Sequence, residues 1–181
     1  MVKLKYRLTQ EEYFQFNFYT AWASPDRRRY RLAHYGRIFL LYTAVAVLYI
    51  VTRRSDRMLF DFSVFALIGL VYFLLVPTLV RKSIRRRVNQ ILQKTENAHI
   101  LEEAEVTLRT DGITDRDTLS ESRYEWEAIV RKAETADSYY LYTNSYHAIV
   151  IPKRILKPEE QAELQLLLNQ HLPLSSEFGS G

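Results

Sequence analysis

The rhythm of hydrophobic and polar positions changes repeatedly along the chain, and each change predicts a different element. Val2, Leu4, Tyr6 and Leu8 alternate with Lys3, Lys5 and Arg7, the period of a strand with one buried face. Thr9 and Glu12 then have the spacing of a capping box, which predicts a helix whose aromatic surface runs from Tyr13, Phe14 and Phe16 to Trp22 and Ala23. Ser24 and Pro25 break it and can start the next helix, serine as N-cap and proline at the first helical position. Two charge-free apolar runs follow, Ile38 to Thr52 and Phe62 to Val80, joined by a short polar connection around Arg53, Arg54, Ser55, Asp56 and Arg57.

Those two runs predict a transmembrane hairpin with spans at about 36–53 and 59–80. At about 1.5 Å of rise per residue the second run is roughly 28 Å long, close to a hydrocarbon core of about 30 Å. The first is shorter and can span if Arg37 and Arg53 lift their guanidinium groups to the interfaces. Soluble core helices rarely carry arginine clusters at both ends of a long apolar run. The first run also begins too late for a signal peptide.

Beyond Val80 a polar helical extension is expected to about Lys94, after which the period changes to that of strands. Glu105 to Thr110, Ile113 to Thr114, Leu119 to Tyr124, Trp126 to Ala133, Tyr139 to Tyr142 and Tyr146 to Ile151 are the strand candidates, with Asp111–Gly112 as a hairpin signal. A last helix over Pro158 to His171 places Leu164, Leu167, Leu168 and Leu172 on one stripe. The expected architecture is a membrane α+β protein: residues 1–24 form a strand and amphipathic helix, 25–94 the hairpin, and 95–174 an antiparallel-sheet domain closed by a helix. The first strand could join that sheet. Residues 175–181 have linker composition and read as an appended tail, excluded from fold and function.

Charge gives the hairpin a direction. Arg27, Arg28, Arg29, Arg31 and Arg37 precede the first span, and Arg81, Lys82, Arg85, Arg86, Arg87 and Lys94 follow the second, against three arginines in the loop. The positive-inside rule therefore predicts both termini in the cytoplasm. The net charge of +4 conceals segregation: residues 25–94 carry 14 basic and 3 acidic side chains, residues 95–174 carry 8 and 15. An acidic folded domain argues against nucleic acid as a partner. With no cysteine there is neither a disulfide framework nor a thiolate metal site.

The order of Val106, Thr107, Leu108, Asp111, Gly112 and Ile113, then Tyr124, Glu125, Trp126, Ala128 and Ile129, then Tyr139 to Tyr142, then Ala148 to Arg154, all behind a hairpin, resembles the YcxB-like family of small bacterial membrane proteins. The resemblance implies a multi-pass protein of the bacterial inner membrane with a C-terminal domain like a pleckstrin-homology fold. It supplies no catalytic residues to carry over.

The chemistry-bearing residues point to binding and away from turnover. His34, His99, His147 and His171 lack metal-pair spacing. Glu102, Glu103, Glu105, Asp111, Asp115 and Asp117 lack the order of a calcium loop, and the five glycines form no phosphate loop. No enzyme activity and no cofactor is expected. Asp61, an acid within the second span, needs water or a partner and has Arg57 one turn earlier. Pro77 is expected to kink or end that span, and Ala66 with Gly69 to allow close helix contact. Trp126, alternating with Ala128 and Val130, is expected in the core. Tyr139, Tyr140, Tyr142 and Tyr146 form the candidate partner surface, since adjacent tyrosines on a strand face opposite ways. Lys153 and Arg154 could touch headgroups at a domain edge. The expected function is a noncatalytic membrane-anchored interaction or regulatory module, its partners the lipid bilayer and a protein. An immunity protein neutralising a toxin at the inner membrane, a lipid-headgroup sensor, and a homo-oligomer are the other readings.

Overall fold

The computed structural model describes residues 1–53 and 57–172; the polar connection at 54–56 and the tail at 175–181 lie outside the described residues. The chain divides into a sheet unit, Met1–Phe16 with residues 88–172, and a helical unit, Asn17–Arg87. The expected boundaries at 24 and 94 shift because each junction falls within a continuous helix.

In the sheet unit, β1 (Val2–Arg7) pairs antiparallel with β2 (Glu103–Arg109), with Arg7 opposite Glu103. β3 (Gly112–Arg116) and β4 (Glu121–Tyr124) complete a four-stranded sheet in the order β1-β2-β3-β4. A second sheet contains β5 (Arg131–Glu134), β6 (Ser138–Tyr142) and β7 (Ala148–Pro152) in sequence order. The whole helical unit is thus inserted between two adjacent strands of one sheet. Alternation works as expected in β1: Val2, Leu4 and Tyr6 are buried with Val106, Leu108, Ile113, Leu141 and Ile151, while Lys3 and Lys5 pair outside with Glu105 and Glu103.

α1 (Gln10–Phe18) starts at the predicted capping box: the Glu12 N–H donates to Thr9 Oγ1 at 3.2 Å, and the Thr9 N–H to Glu12 Oε2 at 2.8 Å. α1 gives way to a π-helical turn at Tyr19–Ala23, so the expected single helix to Ala23 is two segments. α4 (Pro158–His171) closes the sheet unit with Leu164, Leu167 and Leu168 buried and Leu172 packed at the core margin, as its stripe predicted.

Strand expectations are corrected at several points, and Leu119 and Tyr146, expected to begin strands, lie on the turns before Glu121–Tyr124 and Ala148–Pro152. Asp111–Gly112 marks the hairpin, but the two-residue turn is Thr110–Asp111, and Gly112 is already paired with Arg109. Its φ of 151°, and a would-be Cβ only 2.5 Å from the Tyr124 carbonyl oxygen, explain the glycine. Trp126 does not lie in a strand; it begins a short 3₁₀ turn ending at Ala128, and the strand starts at Arg131. His147 precedes β7 and lies outside the strand expected to contain it.

The helical unit is built on α2 (Arg28–Arg53) and α3 (Met58–Leu92), both long and apolar enough to cross a membrane. Their large side chains face outward: Leu59 is 84% exposed, and Leu40, Leu48 and Leu74 are similarly bare. Pro77 does not end α3, which continues to Leu92. Gly69 makes the expected close approach, its would-be Cβ 3.2 Å from the Tyr42 ring, and the Tyr42 hydroxyl donates to the Phe65 carbonyl at 2.7 Å. Ala66 is exposed and takes no such part.

Candidate interaction surface

The expected aromatic surface is largely internal. Tyr139 points into the main core, where its hydroxyl accepts from Gln165 Nε2 at 3.0 Å. Tyr140 and Tyr142 do face the other way, but Phe16 of α1 covers them with ring centroids 5.5 and 6.2 Å away, and the Arg131 guanidinium lies 3.8 Å from the Tyr142 ring centre. All three are buried; only Tyr146 of the four, in the β6–β7 turn, remains open, at 66% exposure. The strand rule for opposite faces was right, but the second face has its own lid in α1.

Lys153 and Arg154 are likewise engaged within the unit. Lys153 Nζ lies 2.6 Å from Glu134 and 4.8 Å from the centre of the Tyr139 ring. Arg154 donates to Glu12 at 2.6 Å and to the Arg7 carbonyl at 2.8 Å. Burial opposes ionisation of Glu12, yet the hydrogen bonds from Arg154 and Thr9 outweigh it and hold the carboxyl below its usual range.

Trp126 is buried, as expected, though for a different reason: Ala128 and Val130 are exposed, so no alternation places it. Its ring stacks on His171 with centroids 4.7 Å apart and planes 7° from parallel, and its indole N–H donates to the Arg109 carbonyl at 2.9 Å. His171 Nε2 is buried without a hydrogen-bond partner among the described residues. The histidines have separate surroundings within their units: His34 lies beside Trp22 and Tyr35 in the helical unit, His99 Nδ1 is 3.0 Å from the Glu96 carbonyl, and His147 is exposed. Among the described residues no three histidine or carboxylate groups gather as a metal site.

The carboxylates have separate tasks. Glu103 and Glu105 pair with lysines of β1, Asp111 with Arg123 at 2.8 Å, and Glu102 accepts from Thr118 at 2.6 Å. Asp117 shapes the β3–β4 turn by accepting from the N–H groups of Leu119 and Ser120. That turn holds Leu119 at 72% exposure, and the Thr118–Glu102 bond fixes it at the end of the sheet where β2 begins. Leu119 and Tyr146 are large side chains on turns, exposed outside the core.

Asp115 is the residue whose position sequence reasoning missed. The register sets it opposite Val106, two residues from the buried Ile113, so it shares the core face of the sheet. Burial, with a smaller contribution from the charge on Asp117, raises its carboxyl to about 6. The alternation of Ile113 with Asp115 carried the signal, but an acidic cluster hid it. In the helical unit Asp61 occupies the first turn of α3, its N–H donating to the Arg57 carbonyl at 3.1 Å. The basic residues divide in role: Arg31 donates to the carbonyls of Trp22 and Ser24 and Arg27 to that of Thr20, while Arg28, Arg29, Arg37, Lys82, Arg86 and Arg87 are exposed. Arg81 lies over the Phe18 ring at 5.7 Å, and Arg85 is half-buried.

Residues 108–168, from the end of β2 into α4, match the family model described as YcxB-like protein, which bears out the resemblance carried by those strands. No curated protein and no solved structure matches the chain.

Proposed function

We propose, with that family likeness as premise, that this protein is a noncatalytic membrane-anchored interaction module. The carrying observation is the insertion of two bare apolar helices between the paired strands β1 and β2. Such helices need a lipid surrounding, and a sheet closed across the insertion ties its domain to the bilayer at two chain crossings. The concentration of cations at the chain ends of the helices, against three arginines at the connection, supports termini on the cytoplasmic side of a bacterial inner membrane. The four-plus-three strand order closed by one helix supports a pleckstrin-homology-like reading of the sheet unit. Its partner is a protein, and anchoring raises the unit's effective concentration for other membrane components.

The binding reading is tested with full-length variants in the deletion strain. Leu119→Arg and Tyr146→Arg should leave folding intact and weaken partner capture, because both side chains lie outside the core. His99→Ala, His147→Ala, Asp115→Asn and Asp117→Asn should retain function if folded. Complete loss in one of these four, with folding and partner capture preserved, points to catalysis and contradicts the reading.

A further inference from the structure

We infer that the cation-rich end of the helical unit is a binding collar for the phosphate groups of anionic lipids, an inference that rests on the anchoring reading. Tyr35 of α2 meets Phe73 of α3 at 5.5 Å, and Arg81 lies over Phe18, so the start of α2 and the later part of α3 share one end of the unit. Residues 17–37 and 81–87 contain ten arginine and lysine residues and one acidic residue, Asp26. A concentration of cations of this kind attracts anions.

The cations are not equivalent. Arg27 and Arg31 spend their guanidinium donors on the carbonyls of Thr20, Trp22 and Ser24, fixing the π-helical turn against the start of α2. That turn presents Trp22 edge-on to His34 and Tyr35, with centroids 6.0 and 6.3 Å away, an aromatic group suited to the depth of lipid carbonyls and headgroups. Arg28 and Arg29 on α2, with Lys82, Arg86 and Arg87 on α3, project outward. Lys82 and Arg86 are four residues apart and share a helix face. Arginine forks match phosphate oxygens bidentately, and a leaflet offers those oxygens in a plane around the helices. The collar therefore divides into arginines that build the turn and arginines that meet lipid.

The test uses full-length protein in nanodiscs of phosphatidylcholine and phosphatidylglycerol at 3:1, with retained lipids identified by native mass spectrometry. Wild-type protein should retain phosphatidylglycerol at least threefold above the bulk ratio, and inorganic phosphate should not displace it. Replacing Arg28, Arg29, Arg86 and Arg87 by glutamine should return the ratio to bulk. A control with the same charge loss on the sheet unit, Arg109, Arg116, Arg123 and Lys157 to glutamine, should keep the enrichment. Inserted wild-type protein holding lipid at the bulk ratio, enrichment surviving in the collar variant, loss of enrichment in the control, or displacement by phosphate overturns the collar alone. Wild-type protein that does not enter the bilayer overturns the anchoring reading and the collar with it.

Discussion

The sheet unit and the helical unit solve the problem of apolar surface in opposite ways. In the sheet unit, Val106, Leu108, Ile113, Leu141, Ile151 and Leu164 are all shut away between the two sheets and α4. In the helical unit, leucines and phenylalanines stand out along α2 and α3, and the inter-helix seam relies on a few close fits such as Tyr42 on Gly69. One unit supplies its own interior; the other leaves its large apolar side chains uncovered, which is the surface the proposed lipid surrounding would cover. The lesson is that burial divides the chain more sharply than composition does, since both units are rich in aromatics.

The largest effect that could break this contrast comes from β1. Residues 88–172 alone lack Val2, Leu4 and Tyr6, each worth about 1.5–3 kcal/mol of burial, against a total stability of about 5–15 kcal/mol. They should not fold, as read by circular dichroism and proteolysis. Joining residues 1–16 to 88–172 through a flexible linker should restore a soluble sheet unit, because the two pieces already meet where Gln10 Nε2 donates to Asn89 Oδ1 at 2.9 Å. Trp126→Ala comes next, at about 3–5 kcal/mol lost in urea unfolding, since it removes the ring stacked on His171 and the bond to Arg109.

Asp115→Asn should act in the opposite direction, adding about 1–2 kcal/mol at pH 7 after allowance for the exposed part of the carboxyl. The folded-state pKa of about 6 lies above the unfolded reference of 3.8. The folded protein therefore binds the proton more tightly, and this group's contribution to stability is greatest below about pH 4. It declines as pH rises through about 6 and is a constant penalty above. Unfolding from pH 4 to 8 should show that slope in the wild type and a flatter one in the variant. Gly69→Ala should have the smallest effect, about 1 kcal/mol or less, confined to the helical pair. Thermal melts in detergent should show the sheet unit unaltered.

Much of this contrast was legible in the sequence, and what was missed has physical causes. β1, the Thr9–Glu12 cap and α4 are local patterns with one buried face, and each formed where its period placed it. The tyrosines of β6 misled because both faces of that strand are covered, one by the core and one by Phe16, a helix residue more than a hundred positions earlier. Trp126 was placed in the core by a strand period that does not exist; a 3₁₀ turn and the stack on His171 put it there. Asp115 was masked by neighbouring acids whose side chains point outward or cap turns. Long-range cover and local turn geometry leave little trace in short-range periodicity.

The most direct test of anchoring is the side of the membrane on which each unit's marker lies. The 181-residue chain has no cysteine, so single substitutions report cleanly. Arg57 before α3 and Ser145 in the β6–β7 turn are both exposed. In spheroplasts treated with a membrane-impermeant maleimide, Arg57→Cys should be labelled at once and Ser145→Cys only after permeabilisation. Labelling of Ser145→Cys in sealed cells, or recovery of both variants in the soluble fraction, contradicts a hairpin that holds the sheet unit at the cytoplasmic face.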